Sequence, residues 1–171
     1  VNACCVLPLH HVSGLMQGLR CLTSGGTLLV LPFKQLETSP AVVDAGFDTT
    51  ACFLSLVPTQ LQRLLVTSAQ IQFLQRFRAI LLGGAPTWAE LLEQGRSHHL
   101  PLAPTYGMTE TASQVATLLP EAFLAGGNHA GHPLPHARIT IRDQGGHPLP
   151  PNQVGQISIQ ATSLALGYYP N

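Results

Sequence analysis

The residues best suited to chemistry lie together in one short stretch, Pro104–Thr111. Its three threonines carry hydroxyl groups that can donate to phosphate or carboxylate oxygens. Glu110 is a hard oxygen ligand that suits a magnesium ion shared with a phosphate. Tyr106 adds a ring that can stack on a nucleobase, although a tyrosine at a strand end is more often a core residue. Short motifs often match by chance, so residue types alone favour an ordinary polar loop, and a longer pattern has to decide.

The elements that must position this stretch alternate along the chain. Short apolar runs bounded by glycine, proline or polar residues predict buried strands. These runs cover residues 2–7, 27–31, 50–56, 78–82 and 100–103. Strands joined through helices within about thirty residues predict parallel crossover units. We therefore predict an α/β fold, with a layered, mostly parallel sheet and flanking helices.

Several short signals mark where the intervening helices begin. Ser13 is the predicted N-cap of a helix whose leucines recur at positions 15, 19 and 22. Ser39–Pro40 predicts a cap and a first-turn proline for a short helix over residues 41–45. Pro58 predicts another helix start, and Thr87–Glu90 has the spacing of a capping box.

From about residue 128 the pattern changes. Residues 137–143 and 155–160 alternate apolar and polar side chains, and glycine and proline pairs lie between them. This pattern is typical of antiparallel strands and turns. We predict an α/β subdomain over residues 1–127 and the start of a β-rich, barrel-like subdomain over residues 128–171.

The composition bounds the classes of partner. The chain has 171 residues, of which only 9% are charged, against about 25% in average soluble domains. This deficit suggests that another domain or subunit covers part of the surface. Lys and Arg number 8, as do Asp and Glu, so no basic surface argues for a nucleic-acid partner.

Neither a membrane span nor a signal peptide is visible in the sequence, and a cytoplasmic location is therefore expected. The four cysteines lack the spacing of a metal site. Three of them lie in apolar runs, so we interpret them as buried, reduced thiols; they are Cys4, Cys5, Cys21 and Cys52.

Four loops that follow predicted strands carry unusual sequences. They cover residues 8–14, 57–59, 83–86 and 104–111. Ligands of open α/β sheets bind at the carboxyl ends of the strands. We therefore expect these loops to converge on one site.

Together these loops resemble the adenylate-forming superfamily of acyl-CoA synthetases, luciferases and peptide-synthetase adenylation domains. Five segments occur in the family's order and at about its spacing, which makes the resemblance specific over nearly the whole chain. They are residues 8–14, 83–86, 105–111, 131–134 and, as the fifth, residues 154–157 followed by residues 166–169. Within the superfamily, the tail of the central motif, residues 110–117, is most similar to that of the o-succinylbenzoate:CoA ligases of menaquinone and phylloquinone synthesis.

The resemblance implies a two-step reaction. A carboxylate attacks the α-phosphorus of ATP to give an acyl-adenylate and pyrophosphate, and the thiol of CoA then displaces AMP. ATP, Mg²⁺, CoA and a small carboxylic acid are thus the implied cofactor and substrates.

The same resemblance assigns roles to residues. Glu110 would hold the magnesium ion, Thr109 would bond phosphate, and His11 would lie at the mouth of the acyl pocket, so these three form the expected catalytic set. The expected nucleotide-binding residues are Gly84, Ala85, Pro86, Thr105, Tyr106, Gly107 and Met108. The expected acid-binding residues are Gly107, Ser113 and Gln114.

Several parts of the family pattern are missing. The chain lacks the phosphate-binding loop with its lysine, the ribose-binding aspartate motif and the small C-terminal domain, and its one lysine, Lys34, matches no motif. We therefore expect a fragment of the large N-terminal domain of a longer enzyme. We expect it to be inactive alone, without carboxylate-dependent pyrophosphate exchange, and to bind ATP weakly.

Other interpretations stay open. The parent protein could be another aryl- or fatty acyl-CoA synthetase, or the chain could be a non-catalytic binding remnant of the fold. An amino-acid adenylation domain is less favoured, because no acidic partner for an α-amino group is evident. His129, His132 and His136 could form a metal cluster, but they flank glycine and proline with no supporting cysteine or carboxylate, which favours an ordinary loop.

Overall fold

The computed structural model describes residues 1–39, 43 and 47–169. The strands are β1 (Asn2–Cys5), β2 (Leu28–Val30), β3 (Cys52–Leu56), β4 (Ala79–Leu82), β5 (Leu102–Met108), β6 (Ser113–Thr117), β7 (His132–Pro133), β8 (Ala137–Arg142) and β9 (Gln156–Ala161). The helices are α1 (Val12–Thr23), α2 (Phe33–Thr38), α3 (Pro58–Leu64), α4 (Ser68–Gln75), α5 (Ala89–Ser97) and α6 (Pro120–Leu124). Short 3-10 turns cover Thr49–Ala51 and Thr109–Thr111. The helix predicted over residues 41–45, with its cap at Ser39–Pro40, falls mainly outside the described residues.

Seven of these strands form one sheet in the order β2-β1-β3-β4-β5-β6-β7. The first five pair in parallel, and β6 and β7 are added antiparallel at the β5 side. The parallel strands are short apolar runs, as strands buried on both faces require. The prediction of a layered, mostly parallel sheet with helices between its strands is confirmed.

The remaining strands, β8 and β9, form a separate antiparallel pair. Ala137 lies opposite Ala161, and Arg142 lies opposite Gln156. The alternation in residues 137–143 and 155–160 therefore predicted both strands correctly. The division of the chain at residues 127 and 128 stays a prediction, since β7 still belongs to the larger sheet and the second sheet begins at Ala137.

The core lies around the central strands. In β3 the burial alternates along the strand, and Leu54 at its centre is completely buried beside Cys4 of β1 and Ile80 of β4. Phe73 and Phe77 contact each other edge to face, with ring centroids 5.1 Å apart. All four cysteines are buried and unbonded, as predicted.

Helix α1 differs from the sequence prediction at its start and in its orientation. The N-cap is His11, whose Nδ1 accepts a hydrogen bond from the Ser13 backbone N–H at 3.3 Å, so the assignment of Ser13 as the cap was wrong. The residues that α1 buries are Gly14, Gln17 and Cys21. Its three leucines, at positions 15, 19 and 22, are exposed. The helix therefore buries a face without leucines and exposes its leucine face.

The capping box predicted at Thr87–Glu90 is also wrong. Helix α5 begins after Trp88, whose side chain makes no capping bond. A capping box forms at α4 instead, where Thr67 accepts from the Gln70 N–H at 3.3 Å and Gln70 accepts from the Thr67 N–H at 3.1 Å. Within the described part of the chain, no helix has the length and apolarity needed to cross a membrane.

Burial distinguishes two leucines for a stability test. Replacing the completely buried Leu54 by alanine removes apolar contact and leaves a cavity, which is expected to lower the free energy of unfolding by about 2–5 kcal/mol. Leu22→Ala is the matched control, because Leu22 is 77% exposed and its loss is expected to cost less than about 0.5 kcal/mol. Urea unfolding of this chain measures both. Equal destabilisation by the two changes would contradict the outward orientation of the α1 leucines.

Candidate active site

The parallel arrangement of β1, β3, β4 and β5 brings their carboxyl ends to one edge of the sheet. The loops singled out after β1, β3 and β4 leave this edge. The fourth stretch, residues 104–111, is a loop only in part, because residues 104–108 continue strand β5 and Thr109–Thr111 form the turn at its end. The four stretches line two adjoining cavities, which share Gly84, Thr105 and Gly107 in their walls. The predicted convergence of the loops is therefore present in the structure.

The first cavity measures about 440 Å³ and lies where the loops after β1, β3 and β4 meet the end of β5. Its wall contains all three residues of the expected catalytic set and both expected acid-binding residues from β6. Those residues are His11, Thr109, Glu110, Ser113 and Gln114, and Met108 lies with them.

The second cavity measures about 480 Å³ and lies on the other side of Gly84. Ala85, Pro86 and Tyr106 line it, together with the segment 128–130 that follows α6. The expected nucleotide-binding residues are thus divided: those after β4 and the tyrosine face one cavity, and Met108 faces the other.

Two glycines keep the boundary between these cavities thin. Gly84 has φ +80°, a left-handed conformation that favours glycine. At Gly107, an added Cβ would lie 2.0 Å from the Ser113 carbonyl oxygen, which excludes any side chain while β5 and β6 remain paired. Backbone is therefore exposed on both sides of the boundary.

The central loop is held by Thr111, which is completely buried. Its Oγ1 accepts from the Met108 N–H at 3.1 Å and donates to the Ser113 carbonyl at 2.7 Å. Ala112 and Ser113 both have positive φ, at 51° and 85°, so the chain reverses there within two residues. The hydroxyl of Thr111 fixes this tight reversal between β5 and β6.

This arrangement corrects the initial view of the three threonine hydroxyls as equivalent ligand donors. Thr111 uses its hydroxyl inside the loop, and Thr105 Oγ1 donates to the Leu82 carbonyl at 3.3 Å. Thr109 is exposed, and its hydroxyl makes no hydrogen bond within the described part of the chain. Thr109 is therefore the threonine of this loop with a free donor at the cavity wall.

Glu110 is partly exposed at the first cavity, and residues 165–168 lie against it. The hydroxyl of Tyr168 donates to Glu110 Oε1, and the Ala165 N–H donates to the Glu110 carbonyl at 2.8 Å. The Tyr168 bond, followed by a backbone hydrogen bond, lowers the pKa of the Glu110 carboxyl below its ordinary value. The side chain is consequently an anion with one neutral partner.

His11 lines the first cavity, and hydrogen bonds to Ser13 set the orientation of its ring. Nδ1 accepts from the Ser13 N–H at 3.3 Å and lies 2.8 Å from Ser13 Oγ. In the neutral ring this leaves the proton on Nε2, so that nitrogen is a hydrogen-bond donor.

Two arginines belong to the site although the sequence motifs did not identify them. Arg20 of α1 lines the first cavity and also a third cavity of about 340 Å³ between α1 and the sheet. Within the described ranges its guanidinium makes no hydrogen bond or ion pair, and burial lowers its pKa below the ordinary value. The sequence signal that could have pointed to Arg20 was its place as a basic residue in the last turn of the helix predicted after residue 13.

Arg96 of α5 does not line the second cavity but binds the segment that forms part of its wall. Its guanidinium donates to the carbonyls of Phe123 at 3.1 Å and Gly127 at 2.9 Å and to Asn128 Oδ1, and lies over the Phe123 ring at 4.6 Å. These bonds hold the segment that carries His129 into the cavity wall. Contacts between residues about thirty apart leave no signal in a motif.

The histidine cluster considered from the sequence does not form a metal site. The rings of His129 and His132 lie edge to face, with centroids 6.1 Å apart. Among the described residues no group of three or more histidine, cysteine, aspartate or glutamate side chains is placed to hold a metal ion.

A model of the AMP-binding enzyme family matches residues 2–169. The chain belongs to this family. One relative of this AMP-binding chain is the 2-succinylbenzoate–CoA ligase of Oceanobacillus iheyensis, which is 37% identical over 163 residues, covering 95% of this chain and 33% of the relative.

Solved structures agree with this assignment. The o-succinylbenzoate coenzyme A synthetase of Bacillus subtilis, in complex with ATP and magnesium ion, matches with a TM-score of 0.81 and 29% identity over 99% of this chain and 34% of that one. The same protein in complex with the acyl-adenylate intermediate OSB-AMP gives a TM-score of 0.83 at 29% identity, with the same coverage. The chain spans about a third of the length of the curated relatives it matches.

The contact between Tyr168 and Glu110 gives a test of the site's electrostatics. Tyr168→Phe removes the donated hydrogen bond that stabilises the charged carboxylate, so the pKa of Glu110 is expected to rise toward its ordinary value. Because the folded-state pKa lies below the ordinary one, the contribution of this bond to stability is present above the ordinary carboxyl pKa and is lost as the pH falls through the lowered value. NMR titration of the Glu110 side-chain carboxyl measures the shift.

Tyr169→Phe is the matched control. Tyr169 is 93% exposed, and its hydroxyl makes no hydrogen bond within the described ranges, so the pKa of Glu110 should not change. A titration curve of Glu110 that is the same in wild type and Tyr168→Phe would contradict the hydrogen bond.

Proposed function

We propose that this chain is part of an ATP-dependent acid:CoA ligase, which activates a carboxylate as an acyl-adenylate and transfers the acyl group to CoA. The acid is o-succinylbenzoate, and the protein acts in the cytoplasm in menaquinone or phylloquinone synthesis. The observation that carries the proposal is the convergence of the loops after β1, β3 and β4 with the end of β5 on two adjoining cavities, one of which is lined by the anionic Glu110. The names of the relatives and the complexes of the B. subtilis enzyme support it.

The second cavity suits the nucleotide base. Tyr106 offers a flat ring there, and Gly84, Ala85 and Pro86 offer backbone and small side chains that allow close approach. Gly84, Thr105 and Gly107 line both cavities, so a nucleotide with its base in one can extend its phosphates into the other. AMP and ATP complexes of the B. subtilis enzyme support nucleotide binding by this fold.

Thr109 and Glu110 suit the phosphates and the metal ion. The Glu110 carboxylate is charged, partly exposed and bonded on one oxygen to a neutral phenol, so it fits a magnesium ion that ATP also binds. The bound ion would neutralise charge on the phosphate oxygens. Thr109 would donate its free hydroxyl to a phosphate oxygen, and Met108 would close the wall beside it.

The acid fits the first and third cavities, which share Arg20, Ser55, Leu81 and Gln114. o-Succinylbenzoate carries two carboxylates, of which the succinyl one is activated and the ring one is not. A second carboxylate in a partly buried cavity requires a cation, and Arg20 is a cation without an ion-pair partner within the described ranges.

The chemistry consists of two displacements. An oxygen of the succinyl carboxylate attacks the α-phosphorus, and pyrophosphate leaves with the electrons of the broken P–O bond. The thiol sulfur of CoA then attacks the acyl carbon, losing its proton, and AMP leaves with the electrons of the C–O bond. Positioning dominates such reactions: His11 would donate from Nε2 at the mouth, while Gly107, Ser113 and Gln114 hold the acid's reacting end.

The rest of the enzyme would supply the parts of the family pattern that this chain lacks. A phosphate-binding loop, a ribose-binding aspartate and a catalytic lysine are to be supplied by N- and C-terminal regions outside these 171 residues. On this view residues 1–127 and 128–171 are an α/β subdomain and an incomplete β-rich subdomain. These residues alone are then inactive.

A second candidate is an aryl- or fatty acyl-CoA synthetase whose acid has a single carboxylate. Apolar walls in the third cavity favour it, since Phe53, Leu81 and Leu134 can hold a ring or an alkyl chain without a second charge. The behaviour of Arg20 separates the two candidates. A non-catalytic remnant of the fold is the third, and the metal-ligand test of Glu110 addresses it.

Glu110 is the test of catalysis. In the complete protein supplied with ATP, Mg²⁺, CoA and 2-succinylbenzoate, Glu110→Gln removes the charge that holds the metal and is expected to lower kcat/KM for CoA-thioester formation at least about a hundredfold. Glu90→Gln, at an exposed position in the first turn of α5, should leave kcat/KM within about twofold. Full activity of Glu110→Gln would contradict its role as the metal ligand.

Arg20 is the test of the substrate. Arg20→Met removes a bidentate partner, so KM for 2-succinylbenzoate is expected to rise about ten- to a hundredfold. KM for 4-oxo-4-phenylbutanoate, the same acid without the ring carboxylate, should change less than about threefold. Initial rates with both acids measure the difference. An equal effect on both would favour the single-carboxylate candidate.

A further inference from the structure

Gln17 of α1 is buried in an unusual way for a polar side chain. It is only 4% exposed, and its Nε2 donates to the Ser13 carbonyl at 2.9 Å. Its Oε1 is buried and has no hydrogen-bond partner within the described ranges. The amide cannot be reversed to relieve this, because Oε1 would then lie against the Ser13 carbonyl oxygen. Buried acceptors without a donor are rare and destabilising, and each calls for an explanation.

Arg20, three residues later on the same helix, has donors without an acceptor among the described residues. Positions three apart are neighbours on a helix surface, and both side chains line the third cavity. The guanidinium carries five N–H donors and uses none of them within the described part of the chain. An acceptor without a donor and a cation without an acceptor therefore line the same cavity from neighbouring positions on α1.

We propose that Gln17 is a positioning residue that holds the Arg20 guanidinium for the second carboxylate of the acid, an inference that rests on the proposed function. A carboxylate takes two parallel N–H bonds from the guanidinium plane. A further N–H then donates to Gln17 Oε1 and fixes the plane. Direct contact between Oε1 and the ligand is excluded by the burial of this atom, so Gln17 acts through Arg20.

The amide of Gln17 is itself fixed by the start of the helix. Ser13, which accepts from Gln17, also contacts His11 Nδ1 through its backbone N–H and lies 2.8 Å from it through Oγ. Gln17 therefore joins the cap at the mouth of the first cavity to the cation that faces the third. The bond to Arg20 favours acids with a second carboxylate and leaves other acids unaffected.

The test uses the complete protein and two acids. Gln17→Met keeps the size of the side chain and removes the acceptor, so KM for 2-succinylbenzoate should rise about five- to tenfold with kcat within about twofold. KM for 4-oxo-4-phenylbutanoate should stay within about twofold. In an Arg20→Met background, Gln17→Met should have no further effect on either acid. Gln72→Met, at an exposed position of α4, is the matched control and should change neither KM.

A similar loss with both acids, a loss confined to kcat, or a persisting effect without Arg20 would show a structural role and overturn the proposal. If the wild type converts neither acid, the proposed function fails instead. The positioning role is then decided by a crystal structure of the complete protein soaked with benzoate. An Arg20 nitrogen within about 3.2 Å of Gln17 Oε1 would support it, and a longer separation would overturn it.

Discussion

The reversal between β5 and β6 is the constraint on which the site depends. The loops that follow the parallel strands lie at one edge of the sheet. The turn after β5 stays at this edge because the chain reverses there at once and returns as β6. Thr111 makes this turn with a completely buried hydroxyl, and Gly107 makes it sterically feasible because no side chain fits between the strands. Thr109 and Glu110 lie within this turn, and both residues line the first cavity.

The division of the site into adjoining cavities follows from the same edge. The loop after β4 separates them, and the left-handed Gly84 brings backbone to both sides. Charge is distributed unevenly around them. Glu110 is an anion whose pKa is lowered, whereas Arg20, which lines the same cavity, is a cation whose pKa burial lowers. Under the proposed function, a ligand with both a metal-bound phosphate and a carboxylate would satisfy both groups.

Much of the fold could be predicted because its signals are local. Apolar runs ended by glycine or proline identified β3 and β4, and alternation identified β8 and β9. The order of the loop motifs identified the residues that line the cavities, although their roles stay predictions. The orientation of α1 was not a local property. Its leucines predicted a helix correctly, but the face that the helix buries carries Gly14, Gln17 and Cys21.

The hydrogen-bond partners of the site residues could not be predicted from the sequence either. The Thr105 hydroxyl is not free, because it donates to the Leu82 carbonyl, which lies more than twenty residues earlier in the chain. The sequence does not distinguish it from the Thr109 hydroxyl, which is free within the described residues. The cap of α1 is a histidine rather than the neighbouring serine, because an imidazole nitrogen can accept as a hydroxyl does. Arg20 and Arg96 became visible only when their surroundings were known, since one is defined by a lack of partners and the other by four.

The four buried sulfhydryl groups bear on the proposed formation of an acyl-adenylate, which is a reactive mixed anhydride. Burial, with smaller contributions from neighbouring thiols, raises the pKa of Cys4 to about 12, and burial also raises the pKa of Cys5. Only a thiolate captures an acyl group efficiently, and Cys5 lies two residues from Leu7 in the wall of the first cavity. Under the proposed function, a thiol that stays protonated this close to the acyl-adenylate would escape acylation, and the incoming CoA thiol would meet no internal competitor.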